Sequence, residues 1–262
     1  KNPVSGWSST VSYEYKQDNA AYVGLNGDQQ ALYDEMLPKV KDLTPFTYTA
    51  KDRGYAVLDN VLMAASALCR DHPEYENYFD IEEVVEGDRT TALRAAADTK
   101  QIKEEIQIFE EECNLIVSAI PKTFSTYDKY RYLAAVISLR TTYDNDSVGG
   151  KPSATAYGAI EGGSSICQGY ASGFEYLCRK ANLWCTQVSG VSQNTAHAWN
   201  LVKLESGTYH VDLTWADADG NTPLDPAWQS YFMLTQEEIL LDHQIDDSTV
   251  ATGKNQPQTP AP

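Results

Sequence analysis

The chain has no run of 18 apolar residues, so no helix of it is expected to span a membrane. It has no stripe of lysine and arginine. Its 20 basic residues face 37 acidic ones, giving a net charge of −17, and nucleic acid is excluded as an expected partner. Histidine is scarce, with four in 262 residues, at positions 72, 197, 210 and 243. The five cysteines form no Cys-x-x-Cys pair and have no histidine-rich neighbourhood, so no metal and no cofactor are expected. An odd number of cysteines also argues against a disulfide framework. No internal repeat or low-complexity tract is present. There is no initiator methionine and no signal-peptide pattern, so Lys1 is read as the start of a trimmed chain. The ends, KNPVSGWSST and GKNQPQTPAP, read as exposed linkers. Such Pro/Thr-bearing ends are common on exported proteins, and a secreted or surface-attached protein is the expectation.

What is present is the composition of a globular protein, 42% hydrophobic and 11% aromatic, with 17 tyrosines. After an irregular stretch over residues 1–25, Leu32, Met36, Leu37 and Val40 recur at helical spacing, with Asp28 as the expected N-cap and Pro45 beyond the end. A second helix is expected from Tyr55 to Cys69, then a short strand or turn around Tyr78–Val85. A long helix follows from about Asp98 to Ile120, ended by Pro121, and another from Ser125 to about Leu139. Cys69, Cys113 and Cys178 sit among apolar helical positions and read as buried thiols. Residues 141–163 are a Gly/Ser/Asp loop interrupted by an apolar patch at Tyr157–Ile160. The outline is α+β, without the regular alternation that builds a parallel sheet. It divides into a mainly helical N-terminal region (1–124), a core (125–245) and a flexible tail (246–262).

The chemistry concentrates in residues 163–219, where Cys167, His197 and Asp212 stand in three different expected elements. After Cys167, the apolar positions Tyr170, Phe174, Leu177, Cys178 and Ala181 describe one helix stripe. Cys167 therefore begins a helix, where unpaired backbone N–H groups and the positive dipole end favour thiolate over thiol. A buried helix-start cysteine is the alternative. His197 lies in AHAWNLVKL and Asp212 in YHVDLTW, two alternating segments joined by Glu205-Ser206-Gly207 into a hairpin. A carboxylate inside a sheet needs a partner, and an imidazole would serve. A thiol, a base and an orienting carboxylate are the parts of nucleophilic catalysis.

Register decides whether the pair can meet. A two-residue loop at Glu205-Ser206 pairs Leu204 with Gly207 and sets Asp212 opposite Trp199. His197 is then the diagonal neighbour of Asp212 on one face, at about 7–8 Å between backbones. A bulge at Gly207 would put the two on opposite faces. Both registers fit the sequence. His210, taken as the sequence neighbour of Asp212, is the rival base; adjacent strand residues point to opposite faces, so it is expected to turn from the site, which leaves His197.

The blocks SICQGYASGFEYLC, AHAWNLVKL and YHVDLTWAD resemble the transglutaminase-like superfamily, especially its bacterial exported members, over about residues 125–240. Thr142-Tyr143-Asp144 and CRDHPEY at 69–75 add to the likeness. The resemblance implies a papain-like core in which a cysteine-bearing helix packs on an antiparallel sheet. It implies Cys167 as nucleophile, His197 as general base and acid and Asp212 as orienting carboxylate, with Trp199 and Trp215 walling the site. The Cys167 backbone N–H is one expected oxyanion donor; Gln168 or a residue of the 157–165 loop is the second. Animal transglutaminases carry a tryptophan after the nucleophile where this chain has Gln168, and they have calcium-binding domains that are not expected here. Asp217-Ala-Asp219-Gly-Asn221 begins like a calcium loop, but Trp228 stands where a glutamate is needed, and a solvent-exposed turn is expected instead. The expected activity is acyl transfer on protein or peptide amides, at a cell surface or cell wall, through a thioester. Proteases and deamidases share the fold, and a catalytically silent peptide- or wall-binding module is a further alternative.

Overall fold

A computed structural model of the chain describes residues 20–49, 55–86, 88–95, 99–145 and 153–246. The linker-like ends and part of the Gly/Ser/Asp loop lie outside the described residues.

In chain order, the short helix α1 (Ala20–Val23) precedes α2 (Gly27–Lys41). The N-cap of α2 is Asn26, two residues before the expected Asp28. Its side chain accepts from the Gln29 backbone N–H, and the Gln29 side chain accepts from the Asn26 N–H in return. Strand β1 (Thr47–Thr49) and α3 (Tyr55–Asp71) follow. In place of one short strand there is a hairpin, β2 (Phe79–Glu86) and β3 (Asp88–Ala95), with β1 on the outer side of β3. Helix α4 (Thr99–Ser118) stops two residues short of the expected end. Helix α5 (Thr126–Arg140) starts from the Ser125–Asp128 capping box.

Strands β4 (Thr142–Tyr143) and β5 (Ser164–Ser165) pair in parallel, and before β5 the apolar patch near residue 160 forms a π-helical turn, Gly158–Gly162, with Ala159 and Ile160 buried. Helix α6 (Cys167–Lys180) comes next, then β6 (Cys185–Ser192), β7 (Thr195–Leu204) and β8 (Gly207–Val211). The chain continues through α7 (Leu213–Ala216), α8 (Pro226–Gln229), β9 (Phe232–Leu234), α9 (Gln236–Ile239) and β10 (His243–Ile245).

The last five strands form one antiparallel sheet in the order β10-β6-β7-β8-β9. Helix α6 packs on one face. Its stripe of Phe174, Leu177 and Cys178 meets Val202 and Val211 from the sheet, Leu133 and Ile137 from α5, and Phe109 and Cys113 from α4. Burying side chains of this size contributes about 1.5–3 kcal/mol each against an exposed chain. Among the described residues, a second apolar cluster joins α2 and α3 through Tyr33, Met36, Val40, Val61 and Leu68. Arg70 at the end of α3 links the two clusters, donating to Thr186 Oγ1 (2.9 Å) and Gln187 O (3.1 Å) on β6. On the other face of the sheet lies a small cluster of Val188, Trp199 and Ile239. No helix among the described residues is long and apolar enough to cross a membrane.

Candidate active site

Cys167 is the first residue of α6, and tight packing beneath it sets its position. A Cβ on Gly169 would fall 2.1 Å from Ser165 Oγ and 2.5 Å from Ser153 O. Only glycine lets the first turn settle that close to the segment before it. Ile166 caps the helix in an extended conformation without a side-chain hydrogen bond, so the amides of the first turn point outward at the sulfur's end.

The hairpin takes the first of the two registers, with Leu204 paired to Gly207 and Asn200 to Val211. Asp212 leaves the strand as the N-cap of α7. Its Oδ1 accepts from the Thr214 and Trp215 backbone N–H groups at 3.0 and 3.2 Å. Its Oδ2 lies 2.8 Å from His197 Nε2. Asp212 is fully buried, and the two sides of its carboxylate are thereby assigned, one to the backbone and one to the ring. With Nε2 engaged there, the hydrogen bond between His197 and Cys167 falls to Nδ1.

Burial raises the Cys167 thiol pKa, but the hydrogen bond and charge of His197, with backbone N–H groups of Ala198 and Gln168, hold it below its ordinary value. Burial likewise works to lower the His197 pKa, but the hydrogen bonds and charges of Asp212 and Cys167 raise it to about 9. The two shifts favour the same proton position, away from sulfur and on the ring, so each group supports the charged form of the other. The remaining thiols differ. Cys113, Cys178 and Cys185 are buried, and burial pushes Cys113 and Cys185 above the ordinary thiol range. Cys69 is half-buried, less enclosed than its apolar neighbours suggested.

His210 stands apart from the thiol for a different reason than the one expected. Two residues from Asp212, it lies on the same side of the strand, so alternation does not turn it away. Instead it is buried, and its Nδ1 accepts from the Trp199 indole N–H at 3.0 Å. Burial and the charge of His243 depress its pKa to about 4.

The three outer residues are placed as follows. Gln168 Nε2 donates to Ser172 Oγ one turn on in α6 (3.2 Å) and to Gln187 Oε1 on β6 (2.7 Å), so both amide hydrogens are engaged and none is left to meet an oxyanion. The side chain borders a cavity of about 90 Å³ together with Arg70, Arg179 and Gln187. Trp199 is buried, stacked at 5.8 Å on the His197 ring, and backs the imidazole from inside the protein. Trp215 lies 6.1 Å from His197, and its buried indole N–H has no hydrogen-bond partner among the described residues.

His243 is the residue that sequence reasoning missed. Its Nε2 lies 2.9 Å from the same Asp212 Oδ2 that holds His197. His197, Asp212 and His243 could each offer one donor atom to a cation, all within 4.8 Å. The N···O separations of 2.8 and 2.9 Å are the lengths of shared protons. Ligands at about 2.0–2.1 Å around tetrahedral zinc stand roughly 3.3 Å apart. The arrangement fits protons. In the calcium-like turn, Asp217 Oδ2 instead accepts from the Tyr170 hydroxyl at 2.6 Å.

A helix-borne thiol set against an imidazole on an antiparallel sheet defines an α+β core of the papain-like class. Residues 117–219 match the family model of the transglutaminase-like superfamily. Kyphoscoliosis peptidase of Mus musculus is 29% identical over 97 residues, covering 31% of this chain and 15% of the relative. The Homo sapiens form is 34% identical over 97 residues, with the same two coverages. The match thus spans about 15% of the curated relatives' length. Among solved structures, a TGase is similar at 13% identity and a TM-score of 0.37, over 52% of this chain and 43% of its own. A candidate cysteine protease from Cytophaga hutchinsonii is similar at 13% identity and a TM-score of 0.35, over 53% and 63%.

Proposed function

We propose that this protein catalyses acyl transfer on protein or peptide amides through a thioester on Cys167. The observation that supports the reading is the hydrogen-bonded series Cys167–His197–Asp212, with the thiol pKa lowered and the imidazole pKa raised. The Cys167 thiolate attacks the amide carbon and forms a C–S bond, and the carbonyl π electrons move onto oxygen. The backbone N–H of Cys167, at the positive end of α6, is the proposed donor to that oxyanion. As the oxyanion collapses, the C–N bond breaks and His197 gives its Nδ1 proton to the leaving nitrogen, which departs as ammonia or an amine. A second nucleophile then loses a proton to His197 and attacks the thioester, and Cys167 leaves as thiolate.

An amine as second nucleophile gives transamidation, and water gives hydrolysis. Hydrolysis is the second reading, favoured by the peptidase names of the two curated relatives. Of the two tryptophans, Trp215 is the one proposed to face substrate, since its indole N–H is uncommitted. Substrates at a cell surface or cell wall remain our proposal, from the Pro/Thr-bearing ends.

The experiment is iodoacetamide labelling of the full chain near pH 7, resolved by mass spectrometry. Cys167 alkylated well ahead of the other four cysteines supports the reading, and equal rates across the five overturn it. Incubation with a glutamine peptide and a labelled primary amine then separates amine incorporation from cleavage or deamidation.

A further inference from the structure

Asp212 Oδ2 stands between two imidazoles, and the proposed mechanism uses one of them. His243 reaches it at 2.9 Å from the first residue of β10, and its side chain has no exposure to solvent. The other ring nitrogen, Nδ1, lies 2.6 Å from Asp242 Oδ1. A neutral imidazole has one N–H and one lone pair, and a lone pair aimed at a carboxylate oxygen is repelled. A ring with a carboxylate at each nitrogen is the geometry of a double donor.

The charged and titratable groups around His243 come from every element packed on it. Asp242 precedes it, and the second oxygen of Asp242 accepts from the Tyr231 hydroxyl at 2.8 Å. Asp212 faces it from the N-cap of α7, and the His197 ring on β7 lies 5.4 Å away. His210 on β8 is reached by its charge, and Trp199 meets the ring edge-on at 4.9 Å. Asp242 is 45% exposed, so the series running inward from it joins solvent to the buried carboxylate.

We infer that His243 is a positioning residue for the Cys167–His197 pair, locking the rotation of Asp212 and keeping its buried charge compensated. This rests on the catalytic reading above. During turnover His197 hands its proton to the leaving nitrogen and becomes neutral. Asp212, with no solvent access, would then face a neutral ring, and an uncompensated buried carboxylate is costly. His243 stays in contact with Oδ2 through that step. The carboxylate therefore keeps its place, and His197 returns to the same tautomer for the second half of the cycle.

The test compares His243→Gln with His243→Leu in the full chain, reading the iodoacetamide rate at Cys167 from pH 4 to 9, with circular dichroism as the check on folding. Glutamine can keep a donor where Nε2 stood, whereas leucine suits the aromatic surroundings but donates nothing. A positioning role predicts labelling at neutral pH slowed about tenfold in His243→Leu, the scale of one hydrogen bond lost to a buried charge, and less in His243→Gln. The acid-side midpoint of the profile moves up by about 0.5 to 1 pH unit in both, because a positive charge near the thiolate is gone. A packing role predicts leucine tolerated at least as well as glutamine, with the midpoint unmoved. That outcome, or wild-type rate and midpoint in His243→Gln, overturns the inference. If His243→Leu fails to fold, His243→Gln decides alone by its midpoint. Should wild-type Cys167 label no faster than the other cysteines, the catalytic reading falls, and the inference falls with it.

Discussion

Replacing Asp212 by asparagine changes one atom and two of its four side-chain hydrogen bonds. The N–H groups of Thr214 and Trp215 fix an oxygen at the Oδ1 position, because an amide nitrogen there would meet two donors. The new NH₂ group must then occupy the Oδ2 position, facing Nε2 of both His197 and His243. His197 can accept from it only by moving its proton to Nδ1, on the sulfur side. A neutral ring in that tautomer cannot take a proton from Cys167. The imidazolium loses its counter-charge as well. The interval between 6.5 and the His197 value of about 9 corresponds to about 3 kcal/mol, and Asp212 is the first of the two groups responsible for raising it. Cys167 accounts for the remainder, so Asp212→Asn is expected to slow Cys167 alkylation at pH 7 by about 10- to 100-fold. The stability effect has a definite sign. A pKa raised on folding contributes stability that is present below 6.5 and is lost as pH rises through about 9. The variant should therefore lose more stability at pH 6 than at pH 9.5 in urea melts. A folded Asp212→Asn protein labelled at the wild-type rate, with an unchanged pH profile, would refute this reasoning.

Further outcomes follow from other residues. His210, depressed to about 4 by burial and the charge of His243, contributes stability at neutral pH that is lost as pH falls from 6.5 towards 4; this amounts to about 3 kcal/mol. His210→Asn keeps an acceptor for the Trp199 indole, and its urea-melt stability should vary less over that interval than the wild type's. Gly190→Ala would set a Cβ 1.9 Å from Gln244 O and 2.9 Å from Trp199 Cη2, so β10 must shift. A loss of about 1–3 kcal/mol in thermal or urea unfolding is expected, accompanied by slower Cys167 labelling. Cys167→Ser should abolish amide turnover with little change in melting temperature, measured by calorimetry beside a peptide assay. Buried Cys113 and Cys185 should stay unlabelled until the protein unfolds.

The elements that sequence located best are those whose information is local. The stripe from Tyr170 to Ala181 placed α6 with the cysteine at its start, and the Ser125 helix carries its own capping residues. The hairpin needed one choice of register, and once Leu204 pairs with Gly207, His197 and Asp212 must share a face. His243 could not be found this way. Its strand is three residues long and has no period to detect, and its place depends on pairing with β6, more than 50 residues earlier in the chain. The β3 strand hid for a related reason, since DRTTALRA carries charges and alanines where a strand signal needs alternating apolar residues. The misreading of His210 was one of geometry, counting an i+2 neighbour as an adjacent one.

The edge position of β10 also bears on the order in which the site is made. Synthesis delivers the thiol, then the first imidazole, then the carboxylate, and only afterwards the strand that presses a second imidazole against that carboxylate. A nascent chain still threaded through the ribosome past its hairpin holds the nucleophile but lacks the last brace. Reactivity of the sulfur should therefore mature late, with the final docking of the sheet's outermost ribbon, which would protect a newly made chain from its own chemistry.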